Sequence, residues 1–349
     1  MNATTVAVDL AKSVFQIAEA DDQWNIVRTH RLTRRQFERF FANRAIKLVI
    51  MEACGSAHYW ARWLETQGIP ARLLPPRHVR RYVLGNKTDA ADCAALLEAS
   101  RNPKIRPVRV KSIEQQALQA LHRLRSQWMA SRTQRINGLR GFCREFGVAI
   151  PRGARIGLRT IAALVADSAS AIPTMLRCEM LATLDEVRSL EARTAQLERE
   201  LTAIVRTIPA CQLLMTIPGV GLLTATALVA AVGTDVSQFH DARRFACWFG
   251  ITPKEKSSGN THRLGRISKA GPRYLRTLLT HGARSVLQSA TRAHNAGRQC
   301  QGLHRWALEL DARTHHNKAT CAVANKLARI CFATLRSRQP FDAQRATAF

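Results

Sequence analysis

Two hydrophobic periods alternate through the first hundred residues, one suited to strands and one to helices. Val6 and Val8 stand in the run TTVAVD (Thr4 to Asp9), and Val14, Phe15 and Ile17 follow at once, which predicts two adjacent buried strands in hairpin order. WNIVRTHRLT predicts a third strand, RRQFERFFANRA a helix, KLVIMEA a strand, SAHYWARWLETQG a helix, and IPARLLPP a strand closed by prolines. Strands that first meander and then alternate with helices predict a mixed α/β sheet with helices on its faces over residues 1–108.

The rest of the chain has helical periodicity. Residues 111 to 146 predict one long basic helix, with Ile113, Ala117, Leu121, Leu124 and Trp128 on one face and Arg123, Arg125, Arg132, Arg135 and Arg140 on the others. Those arginines are either a solvated face or phosphate contacts. Residues 151 to 170 are Gly-, Ala- and Arg-rich and weakly patterned, a connector. Val187, Leu190, Thr194, Leu197, Leu201, Ile204 and Ile208 keep a three-four spacing, a coiled-coil seam that closes either on a second copy or on a helix of the same chain. The helical and coiled-coil region thus spans 109–208, a mainly α domain spans 209–340, and residues 341–349 form a tail, with disorder expected from about Gln339.

Four acids break this pattern. Asp9 ends the first buried strand and Glu52 ends a second, KLVIMEACG, although charged groups are rarely buried unless paired or bound to a metal. Asp89 and Asp92 are spaced i, i+3 in the Ala/Leu-rich NKTDAADCAALLEAS, so they share a helical face. Two strand-end acids and a helical pair suit two divalent cations about 3.5 to 4 Å apart, clamping the attacking and leaving oxygens of a phosphodiester. The order of strands, helices and acids resembles the RNase H-like fold of Holliday-junction resolvases.

Charge supplies the partner. The 53 Lys and Arg against 25 Asp and Glu give a net charge of +28 spread along all 349 residues, more than solubility needs, and a polyanion is the economical explanation. Nine cysteines, an odd number with no CxxC pair, sit mostly in apolar contexts as in a reduced, intracellular protein. Zinc is disfavoured, because of Cys300, His304, His315, His316 and Cys321 only Cys300 and His304 are compactly spaced. No apolar run reaches transmembrane length and no signal-peptide layout opens the chain, so a cytoplasmic, nucleoid-associated protein without a membrane partner is expected.

Two motifs remain. In TIPGVGLLTATALVAAVG, the sequence Pro218-Gly219-Val220-Gly221 followed by an Ala/Thr/Leu helix has the form of a helix-hairpin-helix, whose glycines admit a phosphate to the backbone and whose next helix turns its N–H groups toward it; a plain tight turn between helices is the alternative. In FACWFGITPKEKSSGNTHRLGRISKAGPRYLR, a polar loop carries Ser257-Ser258-Gly259 with Arg263, Arg266, Lys269 and Arg273 following and no acid beside the serines. A hydroxyl on a turn among cations is what a phosphoryl-transfer nucleophile needs.

The blocks VDLAK, MEACG, NKTDAADCAAL, TIPGVG and FGITPKEKSSGNTHRLGRISKAGPRYLR, in that order over nearly the whole chain, resemble the DEDD transposases of the IS110 family of bacterial insertion sequences. The resemblance implies a RuvC-like domain whose Asp9, Glu52, Asp89 and Asp92 bind Mg²⁺, two ions with Mn²⁺ as a substitute. It implies a transposase domain whose serine joins covalently to DNA, with Ser258, immediately before Gly259, the better match and Ser257 the alternative. It also implies a coiled coil that assembles dimers or tetramers, and a non-coding RNA that bridges donor and target DNA. A metal-dependent resolvase using water, or a non-catalytic nucleic-acid-binding protein, would share the acids or the charge without the serine chemistry.

Overall fold

The computed structural model of the protein describes residues 4–86 and 88–343, in two compact units divided after Ile113. The first unit is built on five strands, β1 (Thr5–Leu10), β2 (Val14–Ala20), β3 (Ile26–Thr33), β4 (Leu48–Glu52) and β5 (Ala71–Leu74), in the order β3-β2-β1-β4-β5. The β1, β2 and β3 strands form an antiparallel meander, whereas β4 and β5 run parallel to β1 and to each other. Parallel neighbours need crossovers. The chain supplies α1 (Arg34–Phe40) before β4 and α2 (Ala57–Thr66) before β5, as the periodicity predicts. A short helix α3 (Pro76–Val79), a 3₁₀ turn at Arg80–Tyr82 and α4 (Asp89–Arg101) follow.

Alternation along the central strands assigns each face its own core. Val6, Val8, Val49 and Met51 pack with Phe37 of α1 and Trp60 and Leu64 of α2, while Ala7, Ile50 and Leu74 pack with Cys93, Leu96 and Leu97 of α4. The aromatic side chains Phe15, Phe37 and Trp60 meet edge to face, with centroids 4.9 to 5.4 Å apart.

The second unit is mainly helical. Its long helices α5 (Ile113–Glu145) and α7 (Thr174–Arg206) run antiparallel, joined by α6 (Ala154–Ala166), so the stretch expected as an unpatterned connector contains a helix. Its Arg and Gly residues blur the apolar period, but Ile161 and Val165 are buried with Leu139 and Cys143 of α5. A Cβ on Gly157 would stand 2.6 Å from the Arg140 guanidinium, so glycine permits that approach.

The seam on α7 is also resolved by this hairpin. Leu197 and Leu201 are buried with Leu118 of α5, and Arg125–Glu198, Arg132–Glu191 and Arg135–Glu186 pair the two helices at 2.6 to 2.7 Å. At Leu197 and Leu201 the seam is therefore covered by the chain's own α5, one of the two partners its spacing allows. The same pairs commit Arg125, Arg132 and Arg135 internally, and Arg140 donates to the carbonyls of Pro151 and Gly153. Of the five arginines expected to meet phosphate, four are thus engaged within the chain.

The remaining helices, α8 (Pro209–Met215), α9 (Leu222–Val232), α10 (Ala242–Trp248), α11 (Arg273–Asn295), α12 (Gly302–Arg313) and α13 (His316–Ser337), enclose one large core with Leu228, Phe245, Leu279 and Leu327 fully buried. A two-stranded hairpin, β6 (Pro253–Glu255) and β7 (Leu264–Ile267), stands between α10 and α11 in the chain. The segment after Gln339, expected to be disordered, is docked as far as it is described: Phe341 packs on the core and its N–H donates to the Thr216 hydroxyl at 2.8 Å. Residues 344–349 of the expected tail lie outside the described residues.

Candidate nuclease acids and serine hairpin

The parallel register sets the two strand-end acids side by side. Val8 pairs with Met51, so Asp9 and Glu52 follow one residue later on neighbouring strands. By alternation Asp9 shares the face of Ala7 and Glu52 that of Ile50, the face covered by α4. The Thr88 hydroxyl caps α4 by accepting from the Ala91 N–H at 3.2 Å, which sets Asp89 and Asp92 in the first turn, where the helix dipole favours negative charge. On that face burial first, and then the charges of Asp9, Asp92 and Asp89, push the Cys93 thiol up to about 12. Asp9, Glu52 and Asp92 are half-buried and Asp89 is exposed.

Carboxylate oxygens are the donors that hard divalent cations select. Among the described residues, however, no three side chains of His, Cys, Asp or Glu are drawn together tightly enough to hold a metal ion. Asp9 and Glu52 therefore share one end and one face of the sheet, and Asp89 and Asp92 the first turn of the helix that covers that face, without a closed ligand set among the described residues.

The TIPGVG turn owes its shape to internal packing. Ile217 to Val220 form a β-turn closed by Val220 N–H donating to the Ile217 carbonyl at 3.0 Å, with Pro218 and then Gly219 (φ +83°) in the central positions that favour them. A Cβ on Gly219 would lie 2.6 Å from the Gly282 carbonyl oxygen of α11 and 2.8 Å from Val286. Val220 is buried in the core. Gly219 and Val220, expected as phosphate contacts, thus serve helix packing; Gly221, the N-cap residue of α9, is exposed with open space around it.

The serine loop is a hairpin with a fixed base and an exposed tip. Gly250 and Gly271, both at positive φ, admit close backbone contacts with Ala270 and Trp248 respectively, and Arg276 donates to the carbonyls of Phe249 and Lys269 at 3.1 Å. Beyond this base, Lys256 N–H donates to the Arg263 carbonyl, and Ser258 and Thr261 exchange backbone bonds across Gly259-Asn260, with Gly259 at φ +54° in the first turn position.

This register sorts the side chains. Ser258, Lys256, Arg263 and Thr261 take one face, whereas Glu255, Ser257 and His262 take the other. On the second face Ser257 Oγ donates to Glu255 Oε1 at 2.7 Å, His262 Nδ1 lies 3.1 Å from the same oxygen, and Arg263 N–H donates to Ser257 Oγ at 3.3 Å. The two serines are thereby distinguished, since the Ser257 hydroxyl is engaged and Ser258 faces cations. The expectation of no acid beside the serines is corrected by Glu255. Its sequence signal was available, because it is the only acid between Asp241 and Glu309. Arg266, Lys269 and Arg273 are exposed around the base, and Lys256 is a cation that the sequence reading passed over.

Two family profiles match the chain. Residues 6–147 match a transposase profile, the DEDD transposases of IS110, and residues 211–298 match the profile of the transposase IS116/IS110/IS902 family. A probable family 20 transposase of Pseudomonas aeruginosa is 42% identical over 337 residues, 96% of this chain and 97% of the relative. The transposase for insertion sequence element IS1111A of Coxiella burnetii is 35% identical over 96% of this chain and 90% of its own. A pilin gene-inverting protein of Moraxella bovis is 28% identical over 46% of this chain and 48% of its own. The class is that of enzymes that cut and rejoin DNA. Within it, this chain belongs to the IS110 family of transposases.

Proposed function

We propose that this transposase moves an insertion sequence by metal-assisted phosphoryl transfer, with Ser258 as the nucleophile and Asp9, Glu52, Asp89 and Asp92 as the holders of divalent cations, Mg²⁺ with Mn²⁺ as a substitute. The observation that carries the reading is the sorted hairpin, on which Ser258 shares an exposed face with Lys256 and Arg263. The strand order β3-β2-β1-β4-β5, with acids at the ends of β1 and β4 and at the start of α4, supports an RNase H-like, RuvC-like unit.

In the reaction the Ser258 oxygen, giving its proton to solvent, forms a bond to the phosphorus of a DNA strand as the bond from phosphorus to the leaving deoxyribose oxygen breaks and that oxygen takes a proton from solvent. Lys256 and Arg263 offset the charge that builds on the phosphoryl oxygens. Cations held by Asp9, Glu52, Asp89 and Asp92 would supply Lewis-acid stabilisation of charge on a scissile phosphate. Arg266, Lys269 and Arg273, with the exposed Gly221, contribute phosphate contacts that position the duplex without reading its sequence. Sequence choice is assigned to a bridging non-coding RNA, consistent with the charge of +28. The enzyme acts in the cytoplasm on nucleoid DNA. A reaction that joins separate DNA ends calls for two or four copies, assembled through the coiled-coil region.

Asp9→Asn, Glu52→Gln and Asp92→Asn each remove cleavage and leave binding to duplex DNA largely intact, because affinity comes from dispersed Lys and Arg. Full Mg²⁺-dependent cleavage in all three variants would refute the role given to the acids.

A further inference from the structure

The serine hairpin holds two adjacent hydroxyls, and only its register decides which one faces the DNA. A slip of one residue between paired strands turns every side chain to the opposite face. Such a slip of the β6 limb would bring Ser257, together with Glu255, to the face of Arg263 and would turn Ser258 away together with Lys256. Few backbone bonds oppose it beyond the base: the Lys256 N–H bond to the Arg263 carbonyl and the Ser258–Thr261 pair at the turn. The β6 strand is three residues long, its pairing with β7 is already irregular between Pro253 and Glu255, and the tip from Pro253 to Arg266 is exposed throughout.

What stands against it is a clasp of side chains on the face away from Ser258. Glu255, on β6, accepts a hydrogen bond from Ser257 Oγ at 2.7 Å and meets His262 Nδ1, on the returning limb, at 3.1 Å. His262 Nδ1 also lies 3.4 Å from Ser257 Oγ. The Ser257–Glu255 bond lies within one limb, and the His262 contacts tie that limb to the other in the register observed, in which Ser257 stands opposite His262. Glu255 is otherwise costly in this position, since a carboxylate beside a phosphate-binding surface repels its ligand. The hairpin resolves that conflict by turning the acid away from the cationic face.

We propose that Glu255, through Ser257 and His262, is a positioning residue that pins the register of the β6–β7 hairpin and so selects Ser258 over Ser257 as the hydroxyl presented to DNA. This rests on the serine reading above and goes beyond it, because it names what decides between the two serines.

The experiment is a map of the covalent link. Full-length protein is reacted with a DNA substrate carrying a nick that traps the adduct, and the modified peptide is sequenced by mass spectrometry. The parent carries the adduct on Ser258. Glu255→Ala slows adduct formation at saturating DNA, by on the order of 10²-fold if the hydroxyl moves by about 1 Å, and shifts a measurable share of the remaining adduct to Ser257. Glu255→Gln keeps an oxygen acceptor for both partners and stays close to the parent in rate and in site. A purely structural loss would lower the yield without moving the link. Parent-like rate and exclusive Ser258 modification in Glu255→Ala would overturn the proposal. Glu255→Gln as defective as Glu255→Ala would also overturn it, since the carboxylate charge would then matter and not the clasp. A parent adduct on Ser257, or none at all, would instead refute the serine assignment on which it rests.

Discussion

Replacing Gly219 by alanine separates two roles for the TIPGVG turn. If the glycine serves packing, the added methyl meets the Gly282 carbonyl at 2.6 Å and Val286 at 2.8 Å, while the backbone stays at φ +83°. The left-handed backbone costs a residue with a Cβ about 1–2 kcal/mol. Forcing a methyl into a closed contact adds about 1–3 kcal/mol. The expected destabilisation is their sum, about 2–5 kcal/mol. Gly221→Ala is the control: its φ is −98° and nothing lies within 4 Å of the new atom, so a change within about 1 kcal/mol is expected. Urea unfolding followed by circular dichroism reads the stability, and duplex binding at fixed salt is measured beside it. Gly219→Ala with parental stability but weakened DNA binding would refute the packing argument and return this glycine to the phosphate.

The buried imidazole of His122, bonded to the Tyr274 and Thr226 hydroxyls, is held at about 4 by desolvation and then by Arg125. The unfolded chain therefore takes up a proton between about pH 6.5 and 4 that the folded chain refuses, and stability is lost as pH falls through that window. Between pH 7 and 4.5 this one group costs about 2–3 kcal/mol, so His122→Asn should lose less stability over that interval than the parent; equal losses would contradict the burial. Alkylation at pH 8 followed by mass spectrometry should label the exposed Cys178 and Cys247 and spare Cys93, Cys211 and Cys331, whose thiols burial pushes up to about 12; ready labelling of Cys93 in folded protein would remove the α4 contact. Protein without RNA should bind duplex DNA with little sequence preference and a steep salt dependence, and specific recombination by RNA-free protein would contradict the guide.

Much of the first unit was legible because its two periods are clean: Val6 and Val8 on one face and Ala7 with Asp9 on the other fix both the strand and the direction of its acid. The seam from Val187 to Ile208 was legible as a seam but not as to its partner, since a helix face looks the same whether a copy or α5 covers it. Gly219 illustrates a second limit. A glycine at positive φ before a helix suits a phosphate and a neighbouring backbone equally, and Gly282, 63 residues later, carries no local sign that it is that neighbour. Glu255 was missed for another reason: in a run of Lys and Arg a lone acid reads as noise until the hairpin register sets it beside Ser257 and His262.

The central claim, a serine that becomes joined to DNA, is tested most directly by denaturing gel electrophoresis of protein incubated with Mg²⁺ and a nicked, end-labelled substrate. The account predicts a labelled protein band in the parent and in Ser257→Ala, and no such band in Ser258→Ala or in Asp9→Asn, with DNA retention on native gels unchanged in all four. Strand cleavage by the parent with no protein-linked label would contradict it and assign the chemistry to water.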